Sequence, residues 1–175
     1  MEQAYQKGDY VRYGTNGVCV IADVEPIPSA DRRSITTYYV LHPVAESGTR
    51  IFVPLDNPTL LGKMRAVLTR SEIDHAIRES ACTPLEWLPD RNRRTEAFKT
   101  IIKNAQPLPL LQLCSCIHAR RSTLALEGKR LSGSDEAFLK QAEKLVENEF
   151  SFSLGLPRQD VSAYIHSLWE ETTNQ

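Results

Sequence analysis

A tryptophan followed by a run of basic residues is the combination with the clearest chemistry in this sequence. Guanidinium and ammonium groups neutralise phosphates, and a large flat ring stacks on bases or wedges between them. The tryptophan stands between two prolines, which restrict its backbone and lower the cost of ordering the ring. Burial of the ring in a hydrophobic core is the alternative. The DNA-binding residues predicted from this segment are Trp87, Arg91, Arg93, Arg94 and Lys99.

A second basic cluster brackets the junction between two predicted helices. The second helix of a helix-turn-helix motif usually carries the side chains that contact base edges. Here that helix opens with two acidic residues, Asp135 and Glu136, which would repel phosphates. We therefore expect contact with the DNA backbone, largely independent of base sequence. The predicted residues are Arg120, Arg121, Lys129 and Arg130.

A short alternating segment near residue 50 is a candidate for protein binding. In an extended strand, Ile51 and Val53 share one face, and Arg50 and Phe52 share the other. At a sheet edge, the free backbone groups could pair with a strand of another protein, with Phe52 giving specificity. The alternative is an ordinary strand of a closed barrel. The predicted contacts are Arg50, Ile51, Phe52, Val53 and Pro54.

Patterns typical of catalysis and metal binding are weak. The sequence has no phosphate-cradling glycine loop, no G-x-S-x-G elbow and no H-E-x-x-H pair. On a helix, Cys116 would point away from Cys114 and His118, and the other histidines are scattered. We therefore expect no enzyme activity, no metal, no cofactor and no small-molecule substrate.

The formal net charge of −1 conceals a segregation of charge along the chain. Residues 76–130 carry a net charge of +5, and residues 131–175 carry −5. The basic segment favours a polyanionic partner, unless the charges mix in the fold and serve only solvation. The sequence contains no apolar stretch long enough for a membrane span and no signal peptide pattern. We expect a cytoplasmic protein with four reduced cysteines and no membrane contact.

Two kinds of periodicity divide the chain near residue 70. The predicted strands cover residues 10–13, 18–24, 37–41, 50–53 and 64–68. Such short, closely spaced strands favour a small, strongly bent barrel. The predicted helices begin at Ser71, Asp90, Leu110, Ser132 and Pro157. We predict an α+β protein, with a β-barrel domain in residues 1–69 and an all-helical bundle, including the Trp87 connector, in residues 70–175.

Four segments of the predicted barrel carry a resemblance to a known family. They are residues 7–11 (KGDYV), 13–19 (YGTNGVC), 38–41 (YYVL) and 51–54 (IFVP). These segments resemble the CarD family of bacterial transcription regulators that bind RNA polymerase, whose head is shared with transcription–repair coupling factors. The similarity continues through Trp87 and the predicted helices. Two departures are that Ile27 and Phe52 stand where some relatives have arginines, and that residues 88–90 separate Trp87 from the basic run, as in a Firmicute-type branch.

The resemblance implies a mechanism with two contacts, one to RNA polymerase and one to DNA. Family members have a Tudor-like or SH3-like barrel that contacts the polymerase β subunit through a strand edge. Their helical domain contacts promoter DNA, where a tryptophan matching Trp87 wedges into the minor groove at the upstream edge of the bubble. We therefore expect a monomeric regulator of open-complex stability, associated with the nucleoid through RNA polymerase. The alternatives are a protein–protein adaptor whose barrel binds a partner strand without DNA contact, and an RNA-binding barrel of the ribosomal kind.

Overall fold

The computed structural model describes residues 5–28, 30 and 33–174. The chain divides into two compact units, Met1–Val67 and Leu68–Gln175. The first contains an antiparallel sheet, and the second consists of helices. The predicted α+β class is therefore confirmed.

The described residues of the first unit form a sheet of five strands. They are β1 (Tyr10–Tyr13), β2 (Val18–Pro28), β3 (Ile35–Pro43), β4 (Ile51–Pro54) and β5 (Met64–Ala66), with a short helix α1 (Pro58–Leu61) between the last two. Their order in the sheet is β4-β3-β2-β1-β5, and every neighbouring pair is antiparallel. Strands β4 and β5 end the sheet and do not pair with each other within the described residues. The sheet is thus open, and the closed barrel is not confirmed.

Strands β2 and β3 form a longer hairpin than the sequence predicts. The predicted strand ends at residue 24, whereas β2 continues to Pro28, and Pro26 and Pro28 lie opposite Thr37 and Ile35. The register of β1 reaches only as far as Val20 on β2. A proline is tolerated where a strand has only one neighbour, because its missing N–H can face the unpaired side.

One face of the sheet carries the core of the first unit. Alternate residues of the strands point to this face, so each strand contributes every second side chain. The most completely buried members are Val11, Cys19, Ile21, Leu41 and Val53. Burial of these side chains against α1 and its flanking segments fixes which residues of β4 point outward.

The described residues of the second unit form five helices around a separate core. They are α2 (Arg70–Cys82), α3 (Arg91–Asn104), α4 (Pro107–Leu126), α5 (Gly133–Leu154) and α6 (Arg158–Thr173). The core is formed by apolar residues at helical spacing. Its fully buried members include Ile73, Ile77, Phe98, Leu110, Leu113, Ile117, Leu139 and Val161.

Local capping explains most helix boundaries and corrects two of them. Asp90 and Ser132 cap α3 and α5 as predicted, since their side chains accept hydrogen bonds from the N–H groups of residues 93 and 135. The predicted cap Ser71 is wrong, because Thr69 caps α2 and forms a reciprocal capping box with Glu72. Helix α4 begins at Pro107 and not at Leu110, because prolines are tolerated in a first turn whose N–H groups lack helical partners.

Candidate functional site

Trp87 lies in the connector between α2 and α3 and is half-buried. Its ring packs against the helical core, with its centroid 6.1 Å from that of Phe98 and an interplanar angle of 67°. This edge-to-face arrangement is favourable for two aromatic rings. Trp87 is therefore anchored on one side and partly accessible to solvent, which differs from both a free wedge and a fully buried core residue.

Two arginines approach the ring of Trp87. The guanidinium carbon of Arg94 lies 4.4 Å from the ring centroid, and that of Arg120 lies 5.5 Å away. Both distances are within the range of cation–π attraction. Arg94 is on α3 and Arg120 is on α4, so the fold brings together residues from two basic clusters that are far apart in the sequence. The ring and both arginines line one cleft with Asp135.

The guanidinium of Arg94 is occupied inside the fold. It forms an ion pair with Asp135, with Nε–Oδ1 and Nη2–Oδ2 distances of 3.1 Å. Its Nη1 donates to the carbonyl oxygens of Leu88 at 2.8 Å and Pro89 at 3.1 Å. The two charged side chains are only 8% and 5% exposed. Four of the five N–H groups of Arg94 are therefore engaged inside the fold, and we assign it no phosphate contact.

The electrostatics of Asp135 reflect this pairing. Burial by itself raises the pKa of this carboxyl, but hydrogen bonds from Arg94 and Ser132 and the charges of Arg94 and Arg91 outweigh it. The net result is that the pKa of Asp135 is lowered below its usual value. Glu136 lies 3.7 Å from the guanidinium of Arg121. Both acidic residues that were expected to repel phosphates thus face an arginine, Asp135 in a buried pair and Glu136 in an exposed one.

The remaining predicted cations of the helical unit are exposed. Arg91 and Arg93 lie in the first turn of α3, and Arg130 lies in the loop before α5. Lys99 and Lys129 form surface ion pairs with neighbours on their own segments, at 3.0 Å and 2.9 Å. Exposed pairs of this kind contribute about 0–1 kcal/mol, so a phosphate can replace the carboxylate at little cost.

The exposed cations lie at different distances from the cleft that contains Trp87. The charge of Arg91 reaches Asp135, and the loop after α4 contributes Leu131 and Ser132 to the cleft that holds Trp87. Lys99 is five residues beyond Arg94, about 140° around the helix, and points elsewhere. Trp87, Arg94 and Arg120 thus line one cleft, the charge of Arg91 acts on Asp135 in that cleft, and Lys99 lies apart.

In the first unit, strand β4 forms an edge of the sheet. Among the described residues it pairs only with β3, from Leu41↔Ile51 to Tyr38↔Pro54. Val53 is fully buried and Ile51 packs against the core, whereas Phe52 is 43% exposed. The alternation along β4 is therefore the predicted one.

Polar and aromatic side chains surround Phe52. The guanidinium carbon of Arg50 lies 5.4 Å from its ring centroid, and Arg50 also lies 3.6 Å from Glu25. The ring of Tyr38 meets Phe52 edge to face at 6.4 Å. Contacts with Arg50 and Tyr38 thus fix the ring of Phe52 beside the free edge of β4. Sequence reasoning missed Glu25 and Tyr38, because their proximity to β4 depends on strand pairing.

The register also shows which backbone groups face outward. The N–H of Leu55 donates to the carbonyl oxygen of Thr37 at 2.8 Å, and hydrogen-bonded pairs alternate along an antiparallel ladder. Ile51 and Val53 therefore direct their backbone groups toward β3. Phe52 directs its N–H and carbonyl toward the open side, and Pro54 directs only a carbonyl there. Within β4, the N–H of Phe52 is therefore the one backbone donor that an added strand could use.

Other chemistry is sparse in the part of the chain that the structure describes. It contains no group of three or more His, Cys, Asp or Glu side chains placed to hold a metal ion. Burial raises the pKa of the Cys19 thiol to about 11, and it also raises those of Cys114 and Cys116. Such thiols stay protonated and are poor metal ligands. Among these residues no helix is long and apolar enough to cross a bilayer.

The fold and the open edge define the first unit as a small antiparallel β domain that displays an aromatic side chain beside an unpaired strand. Residues 5–68 match the family model described as the CarD-like/TRCF RID domain. The N-terminal unit is therefore similar to the domain that CarD-like proteins share with transcription–repair coupling factors. The resemblance noted in the sequence is confirmed for these residues. No curated protein matches the chain.

Proposed function

We propose that this protein is a bacterial transcription regulator that binds RNA polymerase with its first unit and promoter DNA with its second. The match of residues 5–68 to an RNA polymerase-interacting domain supports the first contact. The site around Trp87 is the observation that carries the second. The protein acts as a monomer in the cytoplasm, joins the nucleoid through RNA polymerase, and needs no cofactor and no catalytic residue.

The polymerase contact is made by the edge of β4. A strand of the polymerase β subunit pairs with the outward backbone groups of Phe52 and the carbonyl of Pro54. The side chains of Phe52 and Arg50 cover that strand, while Ile51 and Val53 hold β4 on the core. An apolar and aromatic footprint of this kind excludes water from the added hydrogen bonds and so strengthens them.

The DNA contact is made by Trp87 and the cations around it. The ring is anchored on Phe98 and enters the minor groove at the upstream edge of the bubble, where partly unstacked bases accept it. Backbone phosphates are held by basic residues of the second unit, largely without reading bases. These are Arg91, Arg93, Arg120, Arg121, Lys129 and Arg130, with Lys99 further along α3.

The proposed mechanism is differential binding of two promoter states. Contacts that exist only when the bubble is open stabilise the open complex relative to the closed one. A preference of about 1.4 kcal/mol is enough to change the ratio of open to closed complexes roughly tenfold.

The decisive experiment compares wild type with Trp87→Ala. The lifetime of open complexes formed by a bacterial RNA polymerase on a weak promoter is measured with each protein. We expect the wild type to extend the lifetime and Trp87→Ala to lose most of that effect while still binding polymerase. Trp169→Phe, which changes the other tryptophan, is the matched control and is expected to retain the effect. Equal lifetimes with wild type and Trp87→Ala would contradict a role for Trp87 in DNA binding.

A protein–protein adaptor is the second candidate, and the packing of Trp87 on Phe98 favours it because a structural role would suffice. Salt distinguishes the two functions. Phosphate contacts make log K for DNA fall with log salt concentration by about 0.9 per contact. An adaptor would show no DNA binding with such a slope, although it would still bind polymerase.

A further inference from the structure

We propose that the two arginines on the ring of Trp87 have different tasks: Arg94 positions the tryptophan, and Arg120 binds a phosphate of the DNA strand beside it. The inference rests on the proposed function, because it assigns roles within the same DNA contact. It rests on the different surroundings of two side chains of the same type in one cleft.

Arg94 connects Trp87 to the start of α5. Its ion pair with Asp135 is almost entirely buried, and Ser132 donates a further hydrogen bond to the same carboxylate at 2.6 Å. The Nη1 group of the same guanidinium is also fixed, because it donates to the carbonyl oxygens of Leu88 and Pro89, directly after Trp87. The planar group therefore immobilises both the connector and the ring that lies against it.

Arg120 lies against the same ring without such anchoring. Its Nε is buried and has no hydrogen-bond partner within the described residues. No carboxylate forms an ion pair with Arg120 in that part of the chain. A buried N–H without an acceptor is unfavourable, so an added acceptor at this place gains more than one in water. A phosphate oxygen supplies both the acceptor and the opposite charge.

The charge balance of the cleft favours an anion at Arg120. Asp135 and Arg94 neutralise each other, so the charge of Arg120 is left uncompensated at the ring. Arg91 adds positive charge close to Asp135, as the lowered pKa of that carboxyl reflects. A guanidinium fork matches phosphate geometry, and the ring keeps water from the contact. When the ring of Trp87 is inserted between bases, a neighbouring phosphate can bind Arg120 at the same time.

The test uses the full chain in a Trp169→Phe background, so that emission comes from Trp87 alone. Time-resolved fluorescence anisotropy of the free protein reports the motion of the ring. The salt dependence of binding to a forked duplex with an unpaired segment reports phosphate contacts. The matched variants are Arg94→Lys, which keeps the charge but cannot form all four hydrogen bonds, and Arg120→Gln, which removes one charge.

We expect Arg94→Lys to increase the motion of the ring and leave the salt slope unchanged. Arg120→Gln should leave the motion unchanged and reduce the slope by about one. In a Trp87→Ala background, Arg94→Lys should have no further effect on DNA affinity, because a positioning residue acts through the ring. If Arg94→Lys prevents folding, the double variant Arg94→Gln with Asp135→Asn leaves no unpaired charge and should show the same mobile ring.

Three outcomes would overturn the inference. An immobile ring in both Arg94 variants would contradict the positioning role. A lower salt slope in the double variant Arg94→Gln with Asp135→Asn, in which residue 94 carries no charge, would make Arg94 a phosphate contact. An unchanged slope in Arg120→Gln would remove the phosphate contact of Arg120. Failure of the proposed function differs from all three outcomes, because the wild type itself would then not bind the forked duplex. That result would also exclude the phosphate contact of Arg120. The anisotropy measurement would still decide whether Arg94 positions Trp87.

Discussion

Arg94 shows how one residue can have the right chemistry for DNA and be used for something else. Its position in a basic run predicts a phosphate contact. In the structure its Nε instead donates to Oδ1 of Asp135 at 3.1 Å, so the charge of Arg94 is paired within the protein. Removing one partner of a buried ion pair typically costs 3–5 kcal/mol, about ten times more than losing an exposed pair such as Lys99–Glu96. The functional cations are therefore the exposed ones, together with Arg120.

The lowered pKa of Asp135 predicts a pH dependence of stability. Above about pH 5 the carboxyl is ionised in both the folded and the unfolded state, and the ion pair contributes fully. Below that, the unfolded chain binds the proton first, so the free energy of unfolding falls as the pH decreases. We expect urea unfolding of the helical unit to show a larger loss of stability between pH 5 and about pH 3 in wild type than in Asp135→Asn. Equal losses would show that Asp135 does not contribute.

Other carboxyl groups titrate in the same range, which is why the comparison with Asp135→Asn matters. Burial and the charge of Glu143 raise the pKa of Glu147, so protonation of Glu147 favours the folded state as the pH falls. That opposing contribution is present in both proteins. The difference between their pH profiles therefore isolates Asp135.

At the scale of elements, β4 combines two functions in four residues. Its inward side chains hold it on the sheet, and its outward backbone groups remain available for another strand. Because the side chains and the backbone groups alternate together, Phe52 is the position where both the exposed ring and the free N–H occur. A substitution at Phe52 and one at Ile51 therefore have different consequences.

Proline substitutions at these two positions should separate binding from folding. Phe52→Pro removes an N–H that faces outward, so we expect the first unit to stay folded and its affinity for RNA polymerase to fall at least tenfold. Ile51→Pro removes an N–H that bonds to β3, so we expect loss of the fold. Circular dichroism and polymerase pull-down of both variants provide the measurement. Full polymerase binding by a folded Phe52→Pro would exclude pairing at this edge.

At the scale of the whole molecule, each unit has a core of its own. Val11 and Val53 belong to one cluster of buried residues, and Phe98 and Leu113 belong to another. The acidic charge of the last helices is partly used within the second unit, where it pairs with Arg94, Arg121 and Arg78. The basic footprint available to DNA is thus smaller than the sequence segment with a charge of +5 indicates.

Separate cores predict separate folding. We expect a fragment of residues 68–175 to show helical circular dichroism and to unfold cooperatively in urea, at the midpoint of the helical transition of the full chain. The buried pair Arg94–Asp135 lies wholly within this fragment and is kept. A fragment without cooperative unfolding would show that the helical unit depends on residues 1–67.

The sequence by itself determined the features that depend on near neighbours. Asp90 and Ser132 cap their helices through contacts three residues away, and the two-residue alternation of β4 follows from strand geometry. The prediction is wrong for the end of β2, which extends beyond residue 24 to Pro28, and for the start of α4, which lies at Pro107. Whether a proline is tolerated depends on which backbone groups are already unpaired, and that follows from the neighbouring strand or the position in the helix.

Only the tertiary structure decided how the candidate residues are used. Arg94 and Asp135 are 41 residues apart in sequence, and no local pattern indicates that they form a buried pair. The same holds for Arg120, which reaches Trp87 from another helix. Burial and pairing depend on which helix faces pack together, and packing is a sum of many distant contacts. Residue type shows that an arginine can bind phosphate, whereas its surroundings decide whether its donors are free to do so.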